Sequence, residues 1–173
     1  MKVIAPFIIA LLLISCTFNE ESPEKKAKAK LPSIVLDNAT YVLGQRDQQP
    51  IDIVARKITF YSDDNNAILE DFSFQQKDDD GVVVLEGSAL YGNINTSSKV
   101  MNLNRDVNLR QSSQNMEIEA DELMFDSENE EISSTGFVMV KSENGSFSGY
   151  GFNGDLIEQA YSFESIEQGT IEN

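Results

Sequence analysis

Apolar and polar residues alternate along most of the chain, in units that repeat. Within residues 115–155, Met116, Ile118 and Ala120 alternate with charged residues, which is the period of a strand with one buried face. The apolar series resumes at Leu123, and an acidic cluster typical of a turn follows it. The same arrangement recurs upstream, so the pattern predicts many strands joined by short turns.

Four small residues hold the same place in successive units, about 30 residues apart. Because one unit of this kind cannot bury its own apolar face, the period indicates a repeat in which neighbouring units share a core. A small side chain also allows main chains to approach closely at a corner. The predicted corner residues are Ala55, Gly87, Ala120 and Gly149.

A three-residue step after each corner residue predicts a bend in the strand. Strict alternation would turn the later residue to the opposite face, so keeping it inside requires a β-bulge or a bend. The steps run from Ala55 to Ile58, Gly87 to Leu90, Ala120 to Leu123 and Gly149 to Phe152. Stacked bends predict an all-β fold, an open V-shaped antiparallel sheet of repeated strand pairs around an apolar interior.

Composition and charge exclude several classes of function. The 173 residues contain no His and carry a formal charge of −16, which argues against most metalloenzymes and hydrolases and against nucleic-acid binding. The acidic run 78–80 lacks the ligand spacing of a calcium loop and favours a hairpin turn. We therefore expect neither an enzyme nor a metal or cofactor site.

The N-terminus has the features of a secretory signal. After Lys2, residues 3–14 are uncharged and too few to span a bilayer as a helix. The sequence that ends at Cys16, the only cysteine, resembles a bacterial lipobox. We predict a lipoprotein signal peptide at 1–15, a lipidated Cys16 with a polar tether at 16–32, and a folded domain at 33–173. An ordinary signal peptide and an uncleaved anchor are the alternatives.

The folded part resembles the LptC family, the periplasmic, membrane-anchored components of lipopolysaccharide export, and the wider OstA-like group that includes the bridge protein LptA. The resemblance covers about residues 34–168. It rests on Ala-x-x-(apolar)-x-(Phe or Tyr) units, on Gly136-Phe137-Val138 and on the closing Gly145-Ser146-Phe147, Gly151 and Gly154-Asp155-Leu156. Enteric LptC proteins carry an N-terminal transmembrane helix, whereas this chain is predicted to carry a lipid.

The resemblance implies a β-jellyroll open at one side, whose apolar groove receives acyl chains from an inner-membrane ABC transporter and passes them to an LptA-like bridge protein through a sheet edge. The predicted edge strand is residues 161–167 followed by 169–171, and a frayed terminus is the alternative. The anchor is expected in the inner membrane, facing the periplasm. The predicted groove lining is Ile53, Phe60, Phe72, Phe74, Leu85, Leu90, Val107, Leu109, Ile118, Leu123, Phe125, Val138, Val140, Phe147 and Phe152.

Two alternatives to this interpretation use the same residues. Each lining side chain is equally suited to ordinary core packing, because a carrier and a core both need apolar groups. The whole chain is also compatible with a structural or binding lipoprotein that uses the β-repeat as a protein-interaction scaffold.

Overall fold

A computed structural model describes residues 31–44 and 49–171, which form ten β-strands and two short 3-10 helices. The 3-10 helices are Ser62–Asp64 and Ser112–Gln114, and each ends at an asparagine in the left-handed conformation. The strands are β1 (Ile34–Leu43), β2 (Ile51–Tyr61), β3 (Asn66–Lys77), β4 (Val83–Asn95), β5 (Val100–Gln111), β6 (Met116–Asp126), β7 (Glu131–Ser142), β8 (Gly145–Asp155), β9 (Ala160–Ser162) and β10 (Ser165–Ile171).

The strands form a single antiparallel sheet in which each strand from β1 to β8 pairs with the next one in sequence. β8 has two further partners on its other side, β9 along residues 153–155 and β10 along residues 145–150. The predicted last strand at 161–167 and 169–171 is therefore divided between β9 and β10. The sheet does not close, since β1 and β10 are its two edges, and this confirms the predicted all-β open fold.

One face of the sheet, which we call the inner face, carries the hydrophobic core. Cross-strand neighbours such as Ile53 and Phe74 share this face and are buried, with exposures of 0% and 3%. The rings of Phe74 on β3 and Phe125 on β6 stack with centroids 6.2 Å apart, although two strands separate β3 from β6 in the sheet. The sheet therefore folds over on itself, as the stacked bends predict.

A line of bends, which we call the crease, crosses the sheet near the middle of its strands. Asn38, Asp71, Arg105 and Asp106 lie along it with φ angles of 50°, 54°, 63° and 50°. This left-handed conformation costs a residue with a side chain about 1 kcal/mol or more. The register also shifts by one residue between β5 and β6 and between β7 and β8. Bulges and left-handed residues together keep apolar side chains on one face on both sides of the crease.

Two sequence predictions at β4 are wrong. Ala55 pairs with Phe72 and Phe72 with Ala89, so Ala89 and not Gly87 is the β4 counterpart of Ala55. The alternation continues past Gly87 to Ala89, and the step follows there. Leu90 consequently lies on the crease and is 40% exposed on the outer face instead of facing the interior.

Gly87 is small for a different reason. It lies directly opposite Phe74, and a Cβ atom at this position would be 2.5 Å from the Phe74 ring. The aromatic ring therefore covers the glycine, as in sheets where an aromatic side chain compensates for a missing one.

We expect Asp71→Ala to lower the free energy of unfolding by about 1 kcal/mol, because alanine tolerates the left-handed conformation poorly. Asp71→Asn should have a smaller effect, since asparagine adopts this conformation readily and both variants lose the exposed ion pair with Arg56. Urea denaturation measures the difference. Equal destabilisation by the two substitutions would contradict a backbone origin.

Candidate functional site: an apolar inner face open at both sheet edges

The inner face continues beyond the buried core onto both edge strands. On β1, Ile34 pairs with Phe60 and Leu36 with Ile58, yet Ile34 and Leu36 are 54% and 38% exposed. On β10, the inner-face residue Ile166 is 59% exposed. Apolar side chains left uncovered in continuity with a core mark a surface for an apolar ligand or for another protein.

Most of the predicted lining residues converge in one cluster at the inner face. Phe60 and Phe147 are partly buried, and Leu90 points outward. Contact of any predicted lining residue with a lipid stays a prediction. The buried members are Ile53, Phe72, Phe74, Leu85, Val107, Leu109, Ile118, Leu123, Phe125, Val138, Val140 and Phe152.

The β1 side of the interior is bounded by two aromatic rings. Tyr41 on β1 and Phe60 on β2 meet edge to face with centroids 5.4 Å apart, and both are partly buried against the core. Burial raises the pKa of the Tyr41 hydroxyl, so this side chain stays neutral throughout the physiological range. Sequence reasoning missed Tyr41, Ile34 and Leu36, although their alternation along β1 was visible.

On the β8 side of the interior, aromatic residues and amides close the part along β9, whereas the part along β10 stays open at Ile166. Phe152 is fully buried and packs on Tyr161 and Phe163, with ring centroids 6.2 and 5.1 Å away. The Tyr161 hydroxyl donates to Gln111 Oε1 at 3.3 Å and accepts from Gln114 Nε2 at 3.0 Å. Tyr161 and Phe163 were not predicted. They pack on Phe152 from across a turn, and the hydrogen bonds of Tyr161 reach residues about 50 positions away, so no local pattern connects them.

A polar cleft of about 570 Å³ lies beside this closed end. Its lining includes the amides of Gln76 and Gln111 and the carboxylate of Glu130, next to the buried Leu85. Burial, and then the neighbouring charge of Asp155, raise the pKa of Glu130. The cleft therefore joins hydrogen-bonding groups to the end of an apolar interior.

The outer face is solvated and charged. Arg56 donates to Glu70 at 2.7 Å, and this hydrogen bond lowers the pKa of the Glu70 carboxyl. Arg110 lies 3.6 Å from Glu86 and 3.5 Å from Glu117. Exposed pairs of this kind contribute little to stability, about 0–1 kcal/mol each. The contrast between the two faces identifies the inner face as the candidate site.

Several predictions concern residues outside the described ranges. Cys16 and the boundary between signal peptide and tether fall in residues 1–30, so the lipidated N-terminus stays a prediction. Within 31–44 and 49–171, no helix is long and apolar enough to cross a membrane. The same ranges contain no cluster of carboxylate or cysteine ligands for a metal ion.

A protein-family model described as "Lipopolysaccharide-assembly, LptC-related" matches residues 3–170 of the chain. The matched region includes β1 and nearly all of β10, and therefore both edges of the inner face. No curated protein matches the chain.

We expect Glu130→Gln to raise the melting temperature near neutral pH. Folding raises the pKa of this acid, so the wild-type protein loses stability as pH rises from the unfolded pKa through the folded pKa. The variant lacks this loss, and its advantage should disappear below about pH 4, where the carboxyl is protonated in both states. Thermal unfolding across pH tests this. The exposed Glu128→Gln in the same turn is the control, and an equal gain there would contradict the assignment.

Proposed function

Because the chain belongs to the LptC family, which takes part in lipopolysaccharide transport in the periplasm, we propose that its inner face carries the acyl chains of lipopolysaccharide or a related glycolipid. The observation that carries this proposal is the apolar inner face exposed at both edges of the sheet. A carrier that hands on its cargo needs an entrance and an exit, and the two edges supply them.

Acyl chains suit such a surface because their binding needs no specific polar contact. Each CH₂ group of the lipid that leaves water contributes about 0.8 kcal/mol. A few lipid methylenes packed against Ile34, Leu36 and Phe60 therefore already give appreciable affinity. The interior beyond these residues is filled by its own side chains, with Ile53 and Leu109 at 0% exposure. A lipid therefore begins at an edge and advances as the facing parts of the sheet separate.

The chain order suggests the direction of transfer. The predicted tether at 16–32 leads into β1, so we assign the β1 edge to the side nearer the membrane that holds the anchor. We assign to this edge the receipt of acyl chains from an inner-membrane ABC transporter. The β8–β10 edge at the other end of the sheet then passes them to an LptA-like bridge protein, which adds a strand to the sheet.

We further propose that Cys16 holds the protein on the periplasmic face of the inner membrane through its acyl groups. Two acyl chains give durable attachment where one gives only reversible binding. Lys25, Lys26, Lys28 and Lys30 in the tether add attraction to anionic headgroups, about 1 kcal/mol for each residue near the surface.

A second function is favoured by the filled interior. If the buried core never opens, the exposed edges serve only to bind other proteins, and the chain is a scaffold lipoprotein. Both functions use the same edges, but only the carrier brings lipid into contact with the inner face. This difference makes them separable by experiment.

A photo-crosslinking amino acid at Ile34 should capture lipopolysaccharide or another glycolipid in cells. The same amino acid at Val35 should not, because Val35 is similarly exposed, at 47% against 54%, but lies on the outer face of the same strand. Adducts are detected by mass spectrometry and by lipopolysaccharide antibodies. Equal lipid labelling at both positions, or protein adducts alone, would favour the scaffold.

Cys16→Ser should abolish labelling by an alkyne fatty acid and move the protein from the membrane fraction to the soluble fraction, unless the apolar segment is retained as an anchor. Ser15→Ala keeps a small residue before the cysteine and should preserve both properties. Fatty-acid labelling that persists in the Cys16→Ser variant would rule out lipidation at this residue.

A further inference from the structure

β10 is held to the rest of the protein less firmly than the other long strands. All seven of its residues are exposed, and β8 is its only strand partner in the described part of the chain. A register shift between Ile166 and Gln168 interrupts this pairing. The attachment of β10 consequently depends on main-chain hydrogen bonds and contributes little apolar burial.

The edge of β8 is shaped to receive a strand at very close range. A Cβ atom at Gly145 would lie 2.0 Å from the carbonyl oxygen of Thr170, and one at Gly149 would lie 2.0 Å from that of Ser165. Both positions on β8 therefore require glycine for the strand alongside to approach. Gly149, predicted from sequence as a corner residue, is small because of this approach.

Between these glycines, the Phe147 ring selects what lies opposite. Gly169 pairs with Phe147, and a Cβ atom at Gly169 would be 2.9 Å from the ring. A larger residue at this position would require the Phe147 ring or the strand itself to move. The ring therefore favours glycine at this position in the strand that occupies the edge.

The same pairing occurs inside the sheet, between β3 and β4. Phe74 lies opposite Gly87, and the next pair is Ser73 with Ser88. In β8 and β10, Phe147 lies opposite Gly169, and the next pair is Ser146 with Thr170. The β8 edge thus repeats an interior strand pairing of this fold, with glycine followed by a hydroxyl residue as the matching sequence.

We infer that β10 is a self-supplied strand that occupies the β8 edge in the free protein and is replaced there by a strand of a partner protein that carries glycine opposite Phe147, followed by serine or threonine. The exchange replaces main-chain hydrogen bonds one for one and uncovers little apolar surface, so its free-energy cost is small. The selection of glycine supplies specificity, because a side chain at this place is rejected. That the partner is the bridge protein rests on the proposed function, whereas the exchange itself does not.

The test uses the full chain with Cys16→Ser and a fluorescent synthetic peptide with the sequence of residues 164–171. Gly169→Leu in the protein should weaken the pairing of β10 with β8. The peptide should then bind this variant at least about tenfold more tightly than it binds the background protein. Gln168→Leu, which places the same leucine at an exposed neighbour outside the glycine–threonine pair, should leave peptide affinity at the background value. A peptide with leucine in place of its glycine should not bind.

A cross-link provides the second arm. Ser146 and Thr170 lie opposite each other, so Ser146→Cys with Thr170→Cys allows a disulfide that fixes β10 to β8. The oxidised protein should reject the peptide, and reduction should restore binding to the background value. This comparison remains decisive if Gly169→Leu destabilises the domain, which thermal unfolding reveals.

Equal peptide binding by Gly169→Leu and Gln168→Leu, by the oxidised and reduced proteins, or by the glycine and leucine peptides would overturn the inference. None of these measurements involves a lipid. Strand exchange that succeeds while Ile34 captures no glycolipid would therefore refute the carrier function alone, and the converse result would refute strand exchange alone.

Discussion

A sheet with apolar side chains on one face must bury that face, and this chain has no helix layer in its described part with which to do so. The single meander solves the problem by folding over on itself, which brings Phe74 and Phe125 together across the interior. The crease makes the fold possible, and Asp71 and Arg105 accept the left-handed conformation in order to form it. The uncovered edges follow from this arrangement, because the folded sheet does not close.

Much of the fold could be predicted from local pattern, because burial on one face imposes a period of two and each break in the period marks a bend. The failure at β4 shows the limit of that reasoning. Gly87 and Ala89 are both small, one because it lies under Phe74 and the other because it precedes the crease. A sequence shows that a residue is small but not which neighbour requires it. Local pattern consequently places Leu90 on the inner face, although it lies on the outer face.

The candidate site was predictable in its core and not at its boundaries. Alternation identified buried residues such as Ile118 and Val138, whereas the exposure of Ile34 depends on β1 being an edge, which is a property of the whole sheet. Tyr161 packs on Phe152 and forms hydrogen bonds to residues about 50 positions away. Such contacts depend on how the strands are arranged in space, so a local sequence pattern does not reveal them.

The order of the strands has a consequence for biosynthesis. Each strand from β2 to β8 bonds to the one made just before it, so pairing never has to await a distant part of the polypeptide. Local pairing of this kind lowers the entropy cost of loop closure and favours rapid folding. The sheet can consequently grow strand by strand from β1 onward, with little time for half-made intermediates to aggregate.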